Sequence, residues 1–180
     1  MTKRGPWTVE ATAEKFHNAF MTVKEDEVIQ PDGKPGSYAT VAMKPGVSVL
    51  PMAADGTVYL TRQFRYAVAR ESLEVASGSL EEGEDPHAGA QREVREELGI
   101  EADEWVSLGH MDMDTSIVHN EVHLFLARGV TFTETEREGT ETIKTMKLPL
   151  AEAVQKVMDS EITHGPSCVL LLKAAHYLKL

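Results

Sequence analysis

The sequence predicts an α+β fold with a mixed or antiparallel sheet. Three observations lead there. Strand-like segments with turn chemistry between them fill the first half. One strongly patterned helix follows, and strands return after it. Two apolar helical segments close the chain. That order does not fit a regular alternation of strand and helix.

Taking the elements in order, residues 20–29 read as a strand, and Pro31, Asp32 and Gly33 end it with turn residues. Residues 38–43 form a second strand, and Pro45 with Gly46 marks a break. Residues 47–52 are a short apolar run, and Asp55-Gly56 signals a hairpin. Thr57–Arg65 alternates as a strand does, and residues 72–76 are a further strand. Pro86–Leu98 is helical, with Asp85 as N-cap, Pro86 at the first position and Gly99 as the stop. Strands are expected at residues 121–127 and 143–148, and helices at residues 150–158 and 167–180. The expected division is an N-terminal strand segment, residues 1–45, and a main domain, residues 46–180. The first segment reads either as a small separate antiparallel sheet or as an arm reaching a second subunit.

Composition limits the function. The chain has 180 residues, enough for one core, and 42% apolar residues, an ordinary fraction. Its net charge of −11, from 29 acidic and 18 basic residues, argues against nucleic-acid binding. It does not exclude an anionic substrate, because a divalent cation inverts the sign locally. Cys168 is the single cysteine, so no internal disulfide forms, and its apolar surroundings suggest a buried thiol. No segment reads as a signal peptide or a membrane span. A cytoplasmic protein with no membrane partner is the expectation.

The informative segment runs from Gly78 to Ile100. On the helix, Glu93, Glu96 and Glu97 stand at i, i+3 and i+4 and share a face. Ala90, Val94 and Leu98 give a neighbouring face to bury. Three like charges so close oppose the helix unless something compensates them. Such crowding suits a hard cation, since magnesium takes carboxylate, water and phosphate oxygens. Arg92, four residues before Glu96, can orient or neutralise it. Gly78 and Gly83 would let the preceding loop turn tightly. For three glutamates alone, a solvated acidic face is the commoner reading.

The gaps in the segment are more specific than the charges. Gly78, Glu84, Arg92, Glu93, Val94, Glu96, Glu97, Gly99 and Ile100 occupy every fixed position of the Nudix box. The chain resembles the Nudix hydrolases. That resemblance implies an α/β/α sandwich around a mixed sheet, with the box as a loop-helix-loop. It implies Mg²⁺, with Mn²⁺ able to substitute, held by Glu93, Glu97 and the Ser77 carbonyl, with Glu96 close by. Glu84 has a looser implied role, in the loop or beside the ligands, and Gly78 and Gly99 support the motif.

The surroundings resemble the ADP-ribose and nucleoside-diphosphate-sugar pyrophosphatases. Residues 60–66 look like that branch's Gln-aromatic-Arg element, and residues 73–78 like its strand into the box. Two departures are clear. No proline lies between Trp105 and Lys147, and Ala76-Ser77-Gly78 stands where Pro-Ala-Gly is usual. They keep ADP-sugars, GDP-sugars and related diphosphates open beside ADP-ribose. The implied reaction is hydrolysis of a nucleotide sugar to a nucleoside monophosphate and a sugar phosphate. Rival readings are a nucleoside-triphosphate pyrophosphohydrolase and a Nudix module that senses nucleotides without cleaving them.

Individual roles follow from the branch. Arg65 is expected to hold a diphosphate oxygen, against a structural pairing with Glu71 or Glu74. Tyr38 is expected on the nucleobase, against simple packing. Trp7 offers less, and Trp105 reads as a packing residue. His119, Glu121 and His123 alternate as if on one strand face, a spacing open to zinc but commoner on an ordinary polar face. Glu141 is the expected general base, with Glu138 its neighbour, and Arg92 and Glu96 complete the catalytic set. The N-terminal strands are expected to exchange between the subunits of a homodimer.

Overall fold

The computed structural model describes residues 1–134 and 143–180. The chain divides into two compact units, Met1–Lys44 with Asp112–Glu121, and Pro45–Met111 with Val122–Leu180.

The first unit opens with strands β1 (Thr2–Arg4), β2 (Trp7–His17), β3 (Met21–Ile29) and β4 (Pro35–Met43). They pair in sequence order, all antiparallel. Gly5 and Gly33 take the turns between strands at positive φ, where a side chain would be strained. β1 and β2 were not expected from the sequence. The reason is visible in β2, where every residue from Glu10 to His17 is exposed. A strand that buries neither face carries no alternating apolar signal.

The second unit contains β5 (Gly46–Met52), β6 (Thr57–Arg65), β7 (Arg70–Glu74), β8 (Ala76–Ser79), helix α1 (Pro86–Leu98) and β9 (Ile100–Asp112). β10 (Val118–His119) belongs to the first unit and lies parallel to β4. Then follow β11 (Glu121–Phe132), β12 (Lys144–Pro149), α2 (Leu150–Met158) and α3 (Gly165–Leu178). The main sheet runs β12-β6-β5-β11-β9, with β7 on β6 and β8 on β5. It is mixed, because β11 is parallel to β5 while β6, β8 and β12 pair antiparallel.

Alternation along the strands sorts the core into two layers. Val47, Val49, Ala76 and Phe125 pack with Ala90, Val94 and Leu98 of α1. Leu50, Leu60, Leu124 and Leu126 pack with Leu150, Ala153, Leu170 and Leu171 of α2 and α3. The sheet is thus covered by helix on both faces, the α/β/α arrangement implied by the resemblance. No helix among the described residues is long and apolar enough to cross a membrane.

Four details correct the sequence reading. The single strand expected at residues 72–76 is two strands that change partner at Val75, from β6 to β5. The long strand β9 was missed, because Ile100 is its one buried residue and the rest follow no regular alternation. His119 lies on β10, whereas Glu121 and His123 lie on β11, with the buried Asn120 between. The three do not share one strand face. Among the described residues no group of three or more His, Cys, Asp or Glu side chains is arranged to hold a metal. Cys168 is half-buried rather than fully buried, and its Sγ lies 3.3 Å from the Ile162 carbonyl.

Candidate active site

Helix α1 is fixed at both ends by its own sequence. Asp85 caps it, accepting from the backbone N–H groups of His87 and Ala88. Gly99 closes it in the left-handed conformation and donates to the carbonyls of Arg95 and Val94. Between these caps the apolar side is buried against the sheet, and the carboxylates are turned toward β8 and the loop that follows it.

Arg92 gathers most of them. Its Nε and Nη2 donate to the two oxygens of Glu84 at 3.0 and 2.9 Å. Nη1 donates to Glu93 at 2.7 Å and to Glu96 at 3.3 Å, and Nη2 also donates to the Ser79 carbonyl at 3.1 Å. One guanidinium thus offsets the like-charge crowding that the sequence pattern raised. The hydrogen bonds from Arg92, helped by the Glu81 backbone N–H that donates to Glu84 Oε2 at 2.9 Å, hold the Glu84 carboxyl down at about 2. The same bonds push Arg92 further above its usual value.

Glu97 is placed differently. It is 5% exposed, and Oε2 accepts from the Ser77 backbone N–H at 3.2 Å. Ser77 is itself gripped. Its Oγ donates to the Val75 carbonyl at 3.2 Å and lies 2.8 Å from Ser48 Oγ.

Gly78 has a role the sequence reading did not give it. Its φ is not positive, so no tight turn demands glycine. A Cβ there would fall 1.9 Å from Glu93 Cδ. Glycine leaves that space to the Glu93 carboxylate, which any larger residue would displace. Gly83, by contrast, does turn the loop, at φ 76°. These features test whether a hard cation suits the site. Glu93 and Glu97 project from one helix face onto one stretch of backbone, with oxygen donors throughout. Magnesium typically takes only one or two carboxylates from protein and the rest from water and phosphate, so the residues fit.

Arg65 forms a forked pair with Glu74, with Nη2 2.5 Å from Oε2 and Nε 3.1 Å from Oε1. This is the structural pairing weighed in the sequence. Glu74 is 2% exposed. Burial pushes its carboxyl up, but Arg65, His164 and Ser72 more than offset this and hold it below its usual value. His164 lies 3.6 Å away, and burial holds its imidazole below the usual value. The Glu74 network and the α3 residues in it were invisible in the sequence, since His164 is 90 positions from Glu74.

In the first unit, Tyr38 lines a cavity of about 230 Å³ together with Arg4, Trp7, Val9, Asp26, Val28 and Thr40. Its ring meets Trp7 edge to face at 5.4 Å, and its hydroxyl donates to the Ser116 carbonyl at 2.5 Å. Asp26 is buried and accepts from Thr12 at 2.5 Å. Trp7, set aside in the sequence reading, is therefore the partner of Tyr38. Trp105 packs as expected, with His87 at 5.2 Å and Phe125 at 6.3 Å. Glu138 and Glu141 lie outside the described residues.

One unit is thus an α/β/α sandwich with a clamped glutamate helix, and the other is a small strand unit with an aromatic cavity. The NUDIX domain model matches residues 42–165, and the model for the nucleoside diphosphate sugar hydrolase N-terminal domain matches residues 7–41. The chain belongs to the Nudix family. It is 28% identical over 167 residues to the ADP-ribose pyrophosphatase of Bacillus subtilis (strain 168), covering 92% of this chain and 88% of that one. It is 30% identical over 158 residues to the ADP-ribose pyrophosphatase of Mycobacterium tuberculosis (strain ATCC 25618 / H37Rv), covering 86% and 76%. The fold matches the crystal structure of an ADP compounds hydrolase with a TM-score of 0.84 and 19% identity, over 99% of this chain and 97% of that one.

Proposed function

We propose that this chain hydrolyses the pyrophosphate bond of a nucleoside diphosphate sugar, giving a nucleoside monophosphate and a sugar phosphate. The observation that carries the reading is the clamped helix α1, with Glu93 seated in the space at Gly78 and Glu97 bonded to Ser77 N–H. Nudix hydrolases generally depend on a divalent metal. Here Mg²⁺, or Mn²⁺ in its place, would be held by Glu93, Glu97 and the Ser77 carbonyl. When bound it supplies Lewis-acid neutralisation of the diphosphate oxygens.

The chain's own residues do the rest. Arg92 holds Glu93 and Glu96 in register, so the carboxylates stay aimed without mutual repulsion. Arg65, aligned by Glu74, supports the diphosphate. Tyr38 and Trp7 supply apolar ring surface for a nucleobase. Glu141 takes the proton from the attacking water, because a carboxylate committed to a cation loses basicity and Glu93 and Glu97 are so committed. Glu141→Gln should lower kcat by about 10²- to 10⁴-fold and leave metal affinity intact. If only Glu138→Gln does so, the base is the neighbour.

The working state is a homodimer in the cytoplasm, with no nucleic-acid partner. What supports the dimer is the first unit, whose five-stranded sheet has Val28 as its one buried apolar residue among those described. Light scattering showing a monomer at micromolar concentration would overturn it.

The deciding experiment is a substrate panel of ADP-ribose, ADP-glucose, GDP-mannose, UDP-glucose, diadenosine polyphosphates and dNTPs, with Mg²⁺ or Mn²⁺. Monophosphate release from a sugar diphosphate, abolished by a chelator, is the expected result. Preferential release of pyrophosphate from dNTPs would sink the assignment.

A further inference from the structure

Glu97 is held by a backbone that itself needs holding. Its Oε2 accepts from Ser77 N–H, just past the point where the chain leaves β6 and joins β5. Val75 is the residue between the two strands, outside both ladders. A buried backbone N–H without a partner is costly, so a residue that leaves both ladders inside a core needs another acceptor.

That acceptor comes from α3. Ser167 is fully buried, and Val75 N–H donates to its Oγ at 2.9 Å. His164, at the N-cap of α3, sets the hydroxyl from the other side, with Nδ1 2.8 Å from Ser167 Oγ. On the far side of Val75, its carbonyl accepts from Ser77 Oγ at 3.2 Å. Four hydrogen bonds, joined through the covalent frames of Val75 and Ser77, therefore lead from His164 through Ser167 to the Glu97 carboxylate.

We propose that Ser167, seated by His164, is a positioning residue for Glu97, fixing the strand switch at Val75 and through it the carboxylate that would hold the metal. This rests on the metal role given to Glu97 above. Ser167 itself touches no reacting group. An oxygen ligand must stand within a few tenths of an ångström of its place for magnesium, which demands near-ideal octahedral geometry. Residues that orient such ligands are typically worth about 10- to 100-fold in metal affinity or activity.

The test measures Mn²⁺ binding to the substrate-free protein by titration calorimetry, alongside thermal melting and steady-state kinetics. Ser167→Ala should weaken Mn²⁺ binding about tenfold or more and lower kcat with little change in KM. Leu170→Ala, a buried change on the same helix outside the path, is the control. It should lower the melting temperature at least as much and leave Mn²⁺ binding unchanged. Ser77→Ala keeps the N–H to Glu97 but cuts the bond to the Val75 carbonyl, so it should weaken Mn²⁺ binding in the same direction. It decides the matter if Ser167→Ala does not fold. Wild-type Mn²⁺ affinity in the folded serine variants would overturn the path while leaving the metal role of Glu97 standing. If the wild type binds no Mn²⁺, or Glu97→Gln binds it normally, the metal role fails and the path fails with it.

Discussion

The two units solve opposite problems. The Pro45–Met111 and Val122–Leu180 unit buries both faces of its sheet, and its carboxylates are fixed by caps, by Arg92 and by close backbone. The Met1–Lys44 and Asp112–Glu121 unit leaves most of its strand residues exposed, and its buried groups include a carboxylate, Asp26. Where geometry must be held to fractions of an ångström, the chain uses a packed core. On the proposed function, a flat ring would be admitted at the cavity that Tyr38 and Trp7 line in the exposed sheet. The contrast implies that changes in the first unit act on substrate binding and changes in the second on the chemical step.

Among changes at the described residues, Glu97→Gln should show the largest effect. If Glu97 holds the metal as proposed, its loss removes several kcal/mol of transition-state stabilisation, so kcat should fall on the order of 10³-fold while the melting temperature stays near wild type. Near-normal turnover would erase the assignment of chemistry to the second unit.

Gly78→Ala should come next. The new methyl displaces the Glu93 carboxylate, whose Cδ it would otherwise approach to 1.9 Å, and kcat should fall about 10- to 100-fold. Kinetics matching the wild type would mean that Glu93 can shift without consequence.

Tyr38→Ala sharpens the contrast from the other side. Loss of a base–aromatic contact is worth about 1–3 kcal/mol, so KM should rise about 5- to 150-fold with kcat nearly unchanged. A fall in kcat at constant KM would place Tyr38 with the chemistry instead.

Acid stability gives the smallest effect. Arg92 holds the Glu84 carboxyl at about 2, below its ordinary 4.5. The folded state therefore releases this proton more readily than the unfolded chain does. Its contribution is fully present above pH 4.5 and is lost as the pH falls toward about 2. Melting temperatures followed through that window should fall less steeply for Glu84→Gln than for the wild type. Equal slopes would mean that the pair with Arg92 contributes nothing to folding.

The helix α1 and its caps were legible because every signal in them is local. Asp85, Pro86 and Gly99 act within one turn, and the spacing of Glu93, Glu96 and Glu97 is fixed by the helix period. The same holds for β6 and α2, whose apolar periods are strong and whose bounds came out as read. The strands β2 and β9 were not legible, because strands with almost no buried residue carry no apolar period.

By itself, then, the sequence determined the glutamate helix, the box it sits in and the bounds of β6 and α2, since these depend on neighbours within a few residues. The tertiary structure decided the rest. It made Gly78 a space for a carboxylate rather than a turn, and it paired Trp7 with Tyr38. It also brought Ser167 to the N–H of Val75, 92 positions away. Such contacts join residues on separate elements, and only the packing of sheet against helix fixes their distance.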